Sequence, residues 1–237
     1  MNIKRLDWDS SFFGCEVFGA YPQVGDDLAR LMQQLREQGA ELVYFYLEEG
    51  QEQLFPELVR AGAVLYDDRL TYRKPVGAPT GETVVSPLTM EAYQGPLTDE
   101  LLGLAIQAGH DSRFRRDPRL TPYFEALYKI WITKSLEGVN ADRVFVCRDG
   151  DSIKGMVTCK IMGDGTGNLG LMASDVTLRG QGIGQRLVGA TDLFFYQNNI
   201  GTSTLVTQQT NKVACRFYDI GGWSVSRRNY IFHLWFN

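Results

Sequence analysis

Hydrophobic and polar positions along the chain change period several times, and each change marks an element. Residues 26–38, DDLARLMQQLREQ, set Leu28, Leu31, Met32 and Leu35 at helical spacing, with Gly39 as a stop. Residues 41–48, ELVYFYLE, are dense in aromatic and β-branched side chains and predict a strand. A short helix over 51–61 and a second strand over 63–74 follow. Residues 75–81 open the stretch richest in proline and glycine and predict a linker, dividing an α/β piece at 1–74 from a larger domain at 82–237.

In the larger piece TVVSPL predicts a strand. Residues 97–109 predict a helix capped by Thr98, with Leu101, Leu102, Ala105 and Ile106 on its buried face. An arginine-dense loop from His110 precedes a helix at about 121–136. Segments 143–149, 153–162 and 168–177 are strands joined by DGDS and GDGTGN turns, which implies an antiparallel meander. A glycine loop then opens a long helix. The strand STLVTQ, the helix NKVACRFYDIG and a final aromatic strand pair through residue 236 complete the chain. No sequence repeat is evident. The pattern is α+β (mixed α/β): a central mixed, largely antiparallel sheet flanked by helices, plus a smaller N-terminal α/β domain.

Composition removes classes of function without selecting one. Among 237 residues, 24 lysines and arginines against 28 acids give a net charge of −4, which argues against a basic nucleic-acid stripe. Two histidines make a histidine-rich metal site a poor expectation, and no metal is expected. Cys15, Cys147, Cys159 and Cys215 lack C-x-x-C spacing and sit among apolar neighbours, where free cysteine acts as a small core residue. The start MNIKRLDWDSSFFG lacks the apolar stretch of a signal peptide, and no run approaches the roughly 20 apolar residues of a membrane span. A cytoplasmic protein with no membrane partner is the expectation.

The most informative segment runs from Ser174 to Gly184, where a strand feeds a glycine loop and the loop feeds a helix. Glycines let backbone N–H groups approach an anion, and the helix N-terminus adds a favourable dipole, so pyrophosphate is the natural guest. The segment lacks the Lys-Ser/Thr ending of a P-loop, and an antiparallel meander is the wrong context for a Rossmann fingerprint. A ligand-free strand-to-helix turn is the alternative.

Arg179-x-x-Gly182-x-Gly184 resembles the acetyl-CoA pyrophosphate loop of the GCN5-related N-acetyltransferases (GNAT). The later run Asn211, Ala214, Phe217-Tyr218, Gly221-Gly222-Trp223 resembles a second signature of that superfamily, in the same order and over residues 143–223. Leu6-Asp7-Trp8-Asp9-Ser10-Ser11-Phe12-Phe13-Gly14, Ser112-Arg113-Phe114 and Asp117-Pro118 are similar to the bacterial dTDP-fucosamine acetyltransferase group. That resemblance implies a GNAT acyl-CoA N-acyltransferase fold. It also implies acetyl-CoA as co-substrate and, as acceptor, a dTDP-linked 4-amino-4,6-dideoxyhexose destined for enterobacterial common antigen.

The resemblance further implies roles for particular residues. Backbone N–H groups near Val176 and Leu178 would polarise the thioester and pair with pantetheine. Leu178, Arg179, Gly180, Gln181, Gly182, Ile183 and Gly184 would wrap the pyrophosphate. Tyr218 would be the general acid toward the CoA sulfur, since a phenol of pKa about 10 is protonated at neutral pH; a buried core aromatic is the alternative. Asn211 would face pantetheine or cap its helix, and Phe217 would pack against CoA. Arg113 is the candidate among four loop arginines for a diphosphate clamp, with Phe114 as a stacking surface or a core residue. His110 has an intrinsic pKa suited to a base, and a surface or capping role is its alternative. His233, between apolar neighbours, is expected to be structural. Trp8, Phe12 and Phe13 form a cluster suited to packing domains rather than touching sugar, and residues 1–74 cover a sheet edge or build a homodimer surface. A GNAT enzyme for another amine (a polyamine, amino acid, aminoglycoside or protein N-terminus) and a non-catalytic acyl-CoA-binding protein are the competing functions.

Overall fold

The computed structural model describes residues 2–78, 88–178 and 180–236. Its elements are β1 (Asn2–Arg5), α1 (Asp7–Phe13), β2 (Val17–Tyr21), α2 (Leu28–Glu37), β3 (Leu42–Glu48), α3 (Phe55–Arg60), β4 (Val64–Pro75), β5 (Thr89–Ala92), α4 (Asp99–Ala108), α5 (Arg113–Arg116), α6 (Phe124–Leu136), β6 (Arg143–Asp149), β7 (Ser152–Ile161), β8 (Gly167–Ser174), α7 (Ile183–Gln197), β9 (Thr202–Gln208), α8 (Lys212–Ile220) and β10 (Ser224–Trp235). Residues 79–81 of the expected linker and 83–87 of the expected TVVSPL strand lie outside the described residues.

The ten strands among the described residues form one sheet in the order β1-β2-β3-β10-β4-β9-β8-β7-β6-β5. The order has an internal symmetry that the sequence hides. Taken outward from the central β10–β4 pair, β3 corresponds to β9, β2 to β8 and β1 to β7. The pairings agree: β2–β3 and β8–β9 are parallel, while β1–β2, β7–β8, β3–β10 and β4–β9 are antiparallel. The strand–helix–strand–helix–strand run β2-α2-β3-α3-β4 therefore repeats as β8-α7-β9-α8-β10. Each run's last strand is exchanged: β4 lies beside β9 and β10 beside β3. The expected final strand pair is corrected to this single strand, β10, which bonds β3 on one side and β4 on the other over twelve residues. Exchange commits both parts of the chain to one hydrogen-bonded sheet.

Helices cover both faces. On one face α2 and α3 enclose Leu31, Leu35, Phe45 and Phe232, and α7 and α8 enclose Leu187, Phe195, Leu205 and Tyr218. On the other face α4 and α6 pack Leu101, Leu104 and Ile132 against β6–β8, and α1 with the arginine loop packs Phe13 and Leu120 against Tyr44 and Ile231. α2 begins where Asp27 Oδ1 accepts from Arg30 N–H at 3.0 Å, and α4 where Thr98 Oγ1 accepts from Leu101 N–H at 3.3 Å. Among the described residues, no helix is long and apolar enough to cross a membrane.

At the end of α4 the backbone passes directly under the Tyr128 ring. A Cβ on Gly109 would fall 2.1 Å from the Tyr128 ring carbon Cζ. Gly109→Ala is expected to destabilise the fold by about 1–3 kcal/mol through overpacking. Urea unfolding would show the midpoint lowered with an unchanged m-value.

Candidate functional site

Two local features open the sheet at β8. Between Val157/Met172 and Cys159/Leu169 the β7–β8 register slips, because β8 carries a bulge. Thr158 Oγ1 fills the bulge by accepting from Leu171 N–H at 2.8 Å, and a Cβ on Gly170 would sit 2.7 Å from that oxygen. Beyond the bulge β8 leaves β9: the two strands pair only across Gly167–Leu169 and Ser203–Leu205. The splayed ends admit a cavity of about 680 Å³ that crosses the sheet. It runs from the glycine loop, past Met172 and Tyr218, to Gln107, His110 and Asp111 at the end of α4.

The glycine loop forms the first wall. The strand expected to reach Thr177 ends at Ser174, and Val176–Leu178 form a short 3₁₀ turn. Asp175 holds that turn: its Oδ1 accepts from Thr177 N–H at 2.9 Å and its backbone oxygen from Leu178 N–H at 3.1 Å. The Leu178 N–H expected to face pantetheine is thus engaged within the turn. Val176, Leu178, Gly180, Gly182, Ile183 and Gly184 all line the cavity. Gln181 belongs to the same turn, and Arg179 lies outside the described residues. Gly180 and Gly182 adopt φ of 80° and 78°, a left-handed backbone that glycine reaches without steric penalty. Gly182 is the N-cap of α7, so the first N–H groups of this 15-residue helix point at the loop. A Cβ on Gly184 would lie 3.1 Å from the Phe217 ring, so α7 and α8 meet there without a spacer. The corresponding turn of the N-terminal half, residues 22–27, ends in Asp26 and Asp27, and the Asp27 carboxylate already occupies the start of α2. Among the described residues, the helix start at Gly182 carries no side-chain cap, while the one at Asp27 is capped by its own carboxylate.

The second wall is α8. Asn211 Oδ1 accepts from Ala214 N–H at 3.1 Å, so Asn211 caps the helix as well as lining the cavity. Phe217 and Tyr218 also line it. Tyr218 is 8% exposed, and its hydroxyl faces the Met172 sulfur at 3.8 Å, a weak acceptor. Burial pushes the Tyr218 phenol up to about 12, with a smaller push from Cys215, so it stays protonated across the physiological range.

On the far side of the sheet, His110 is largely exposed and stands 4.0 Å from Asp111. Gln107 Nε2 donates to the Ser174 carbonyl at 2.8 Å and fixes α4 against the end of β8. The four loop arginines are not gathered into one clamp. Arg115 lies over Phe124, Arg116 donates to the Tyr66 carbonyl at 2.8 Å, and Arg119 lies over Trp235. Arg113 turns inward, 3.9 Å over the Tyr44 ring and 4.4 Å over Phe114. Phe114 packs against Phe13, and neither Arg113 nor Phe114 borders the cavity. Trp8 stacks on Phe12, and Phe12 and Phe13 meet Tyr123, joining α1 to the arginine loop. His233 is 1% exposed, with Nδ1 2.7 Å from Asp117 Oδ2. Burial drives the His233 imidazole down to about 4, so it is neutral, Nδ1–H donates to Asp117 and Nε2 accepts from Arg113 at 3.2 Å. The sequence gives no sign that Asp117 anchors His233 and Trp235, because these partners lie 116 and 118 positions away.

Residues 107–222 match the model of the acetyltransferase (GNAT) family, a span from the end of α4 to the end of α8. That match covers just under half of the chain and, together with the splayed, bulged sheet, indicates an N-acetyltransferase of GNAT fold that uses acetyl-CoA. Solved structures place the chain within that fold. A GCN5-related N-acetyltransferase from Sphaerobacter thermophilus superposes with a TM-score of 0.64 at 17% identity, covering 98% of this chain and 76% of that one. A tandem GNAT protein from the clavulanic acid biosynthesis pathway gives 0.55 at 9% identity over 88% and 68%. The glucosamine N-acetyltransferase region of a fungal multi-domain β-N-acetylglucosaminidase gives 0.59 at 13% identity over 98% and 31%. No curated protein matches the chain in sequence.

Proposed function

We propose that the protein acetylates the amine of a nucleotide-linked amino sugar, a dTDP-4-amino-4,6-dideoxyhexose, by direct attack on the thioester of acetyl-CoA. The observation that carries this reading is the through-sheet cavity, which joins a glycine loop suited to pyrophosphate on one face to Gln107, His110 and Asp111 on the other. The resemblance of the Trp8 and Arg113 segments to sugar acetyltransferases supports the acceptor class, and in the fungal neighbour a related fold is a glucosamine N-acetyltransferase region.

In this reading the residues from Leu178 to Gly184 hold the pyrophosphate, and Val176 with the splayed end of β8 receives the pantetheine arm and thioester carbonyl. Asn211 and Phe217 hold the arm from the α8 side. The neutral amine nitrogen forms a bond to the acetyl carbon, and the C–S bond then breaks. Tyr218 donates its phenolic proton to the departing sulfur, and the proton lost from nitrogen leaves by water or by His110. The apolar wall that raises the Tyr218 pKa also raises the proton affinity of a thiolate beside it, which keeps donor and acceptor matched.

A panel of amines read by CoA-thiol release tests the acceptor. Turnover with dTDP-4-amino-4,6-dideoxyhexoses and none with polyamines, amino acids, aminoglycosides or peptides is expected; the reverse pattern overturns the reading. A second variant tests the loop. Gly182→Val forces a branched side chain onto φ of 78° at the mouth of α7. It is expected to raise KM for acetyl-CoA by about tenfold or more, as a penalty of about 1–2 kcal/mol at a strained position implies, and to leave KM for the amine nearly unchanged.

A further inference from the structure

Past the cavity floor, the chain continues from Asp111 into Ser112 and Arg113, and these enter a second polar cluster wedged between the two halves of the sheet. The Arg113 guanidinium is fixed there from three sides: the Tyr44 ring beneath it, the Phe114 ring beside it, and neutral His233 accepting from NH1. His233 is in turn held by Asp117, which also receives Trp235 Nε1–H at 3.0 Å. Such a relay holds a cation still without neutralising it at close range.

Around this fixed cation stand three buried polar atoms with no hydrogen-bond partner: Tyr44 Oη, Asp67 Oδ1 and Ser112 Oγ. Their residues are 0%, 4% and 7% exposed. Buried polar atoms are nearly always satisfied, so three beside one guanidinium call for an explanation. The Tyr128 side chain comes close to Ser112, so Tyr44 and Asp67 are the two most open to a ligand. Asp67 is the most telling. The β4–β10 register slips just before it, and Asp67, opposite Ile231, faces Tyr44 and the arginine loop. Gln208, at the end of β9, bonds the same carboxylate side chain, while Arg69 and Arg113 act on it electrostatically. A structural ion pair would have satisfied Oδ1; this arrangement leaves it bare. Asp111 lines the cavity and Ser112 follows it directly in the chain, so the cluster lies next to the cavity at the end of α4.

We propose that this cluster is the acceptor subsite, with Asp67 Oδ1 and the Tyr44 hydroxyl receiving the N–H and O–H donors of the amino sugar. The N-terminal half then supplies the acceptor side of the active site through β3 and β4. The inference rests on the amino-sugar reading above, and its test separates the two.

Asp67→Asn keeps the side-chain shape and removes the buried charge; Tyr44→Phe keeps the ring under Arg113 and removes only the hydroxyl. With dTDP-4-amino-4,6-dideoxygalactose as acceptor, Asp67→Asn is expected to raise the acceptor KM about 10- to 100-fold, as loss of a charged hydrogen bond does, and Tyr44→Phe several-fold. KM for acetyl-CoA should stay within about twofold in both. Asp67→Asn should also melt a few degrees higher than the wild type at pH 7.5, because the free protein loses an unsatisfied buried charge. An Asp67→Asn variant that melts lower and keeps the wild-type acceptor KM makes the cluster structural and overturns the proposal. If the wild type turns over a different amine, the amino-sugar reading falls, and the same KM split read with that amine upholds or overturns the subsite. If it turns over none, the melting shift alone decides: a lower melting point overturns it.

Discussion

Tyr218→Phe should lower kcat about 10²- to 10³-fold while KM for acetyl-CoA moves less than about threefold. The magnitude follows from the usual contribution of a positioned general acid. The split follows from geometry: the ring packs between Tyr72, Phe217 and Trp223, so phenylalanine keeps every ring contact, and the hydroxyl makes one weak interaction, with Met172 sulfur. Removing it therefore leaves the fold and the cavity wall in place and deletes only a proton donor. Because burial holds the phenol at about 12, no loss of activity from its ionisation is expected up to about pH 10. Steady-state kinetics over both substrates, with acetyl-CoA affinity measured separately by calorimetry, would check it. Unchanged kcat with unchanged affinity would remove Tyr218 from the chemistry; weakened affinity with normal kcat would make it a binding residue.

The residues around Tyr218 were the legible part of the site. Glycines at 180, 182 and 184 and the Asn211–Trp223 run carry their signal locally, because a loop and a helix start are built from neighbours in sequence. The meander of β6, β7 and β8 was equally legible, since its hairpins are short. The pairing of β10 with both β3 and β4 was not, because it joins residues some 150 to 190 positions apart and periodicity carries no information about partners. β1, α1 and β2 also escaped notice: they are short, and Asp7-Trp8-Asp9-Ser10 mixes charge into a helix of only two turns. Of the four loop arginines only Arg113 stood out as a phosphate ligand; in the fold Arg113, Arg115 and Arg119 lie over aromatic rings and Arg116 donates to a carbonyl. Local charge density reports which ligands a surface tolerates, and only tertiary packing decides where a guanidinium points.

The exchanged strands give the two halves different tasks on one frame. Both present a parallel strand pair followed by a helix start, but Gly180 and Gly182 open one to an anion while Asp26 and Asp27 close the other. Because β4 of the N-terminal half lies directly against β9, a change in that half is felt one strand from the reaction cavity. The N-terminal half is therefore built into the same sheet as the strands that border the cavity.

That junction also carries two buried titrating groups with opposite pH responses, which leads to the second large effect. Burial lowers His233 to about 4, against an ordinary 6.5, so its contribution is complete above about pH 6.5 and is lost as the pH falls toward 4. Burial raises Asp67 to about 6 from 3.8, opposed by Arg69 and Arg113, so its contribution is complete below about 3.8 and is lost as the pH rises through 6. A tenfold change in proton affinity is worth about 1.4 kcal/mol, so each group spans about 3 kcal/mol, in opposite directions over nearly the same window. In the wild type the two largely cancel, and unfolding free energy from this pair should be nearly flat between pH 6.5 and about 4. Asp67→Asn removes one side of the balance. That variant should be more stable than the wild type at pH 7.5 and should then lose about 3 kcal/mol on acidification to about pH 4, as His233 is forced to charge against Arg113. Urea denaturation of both proteins across that range would read the difference directly. Parallel pH profiles would mean that Asp67 is ionised in the folded protein at the same pH as in the unfolded chain, and that its buried oxygen is satisfied after all.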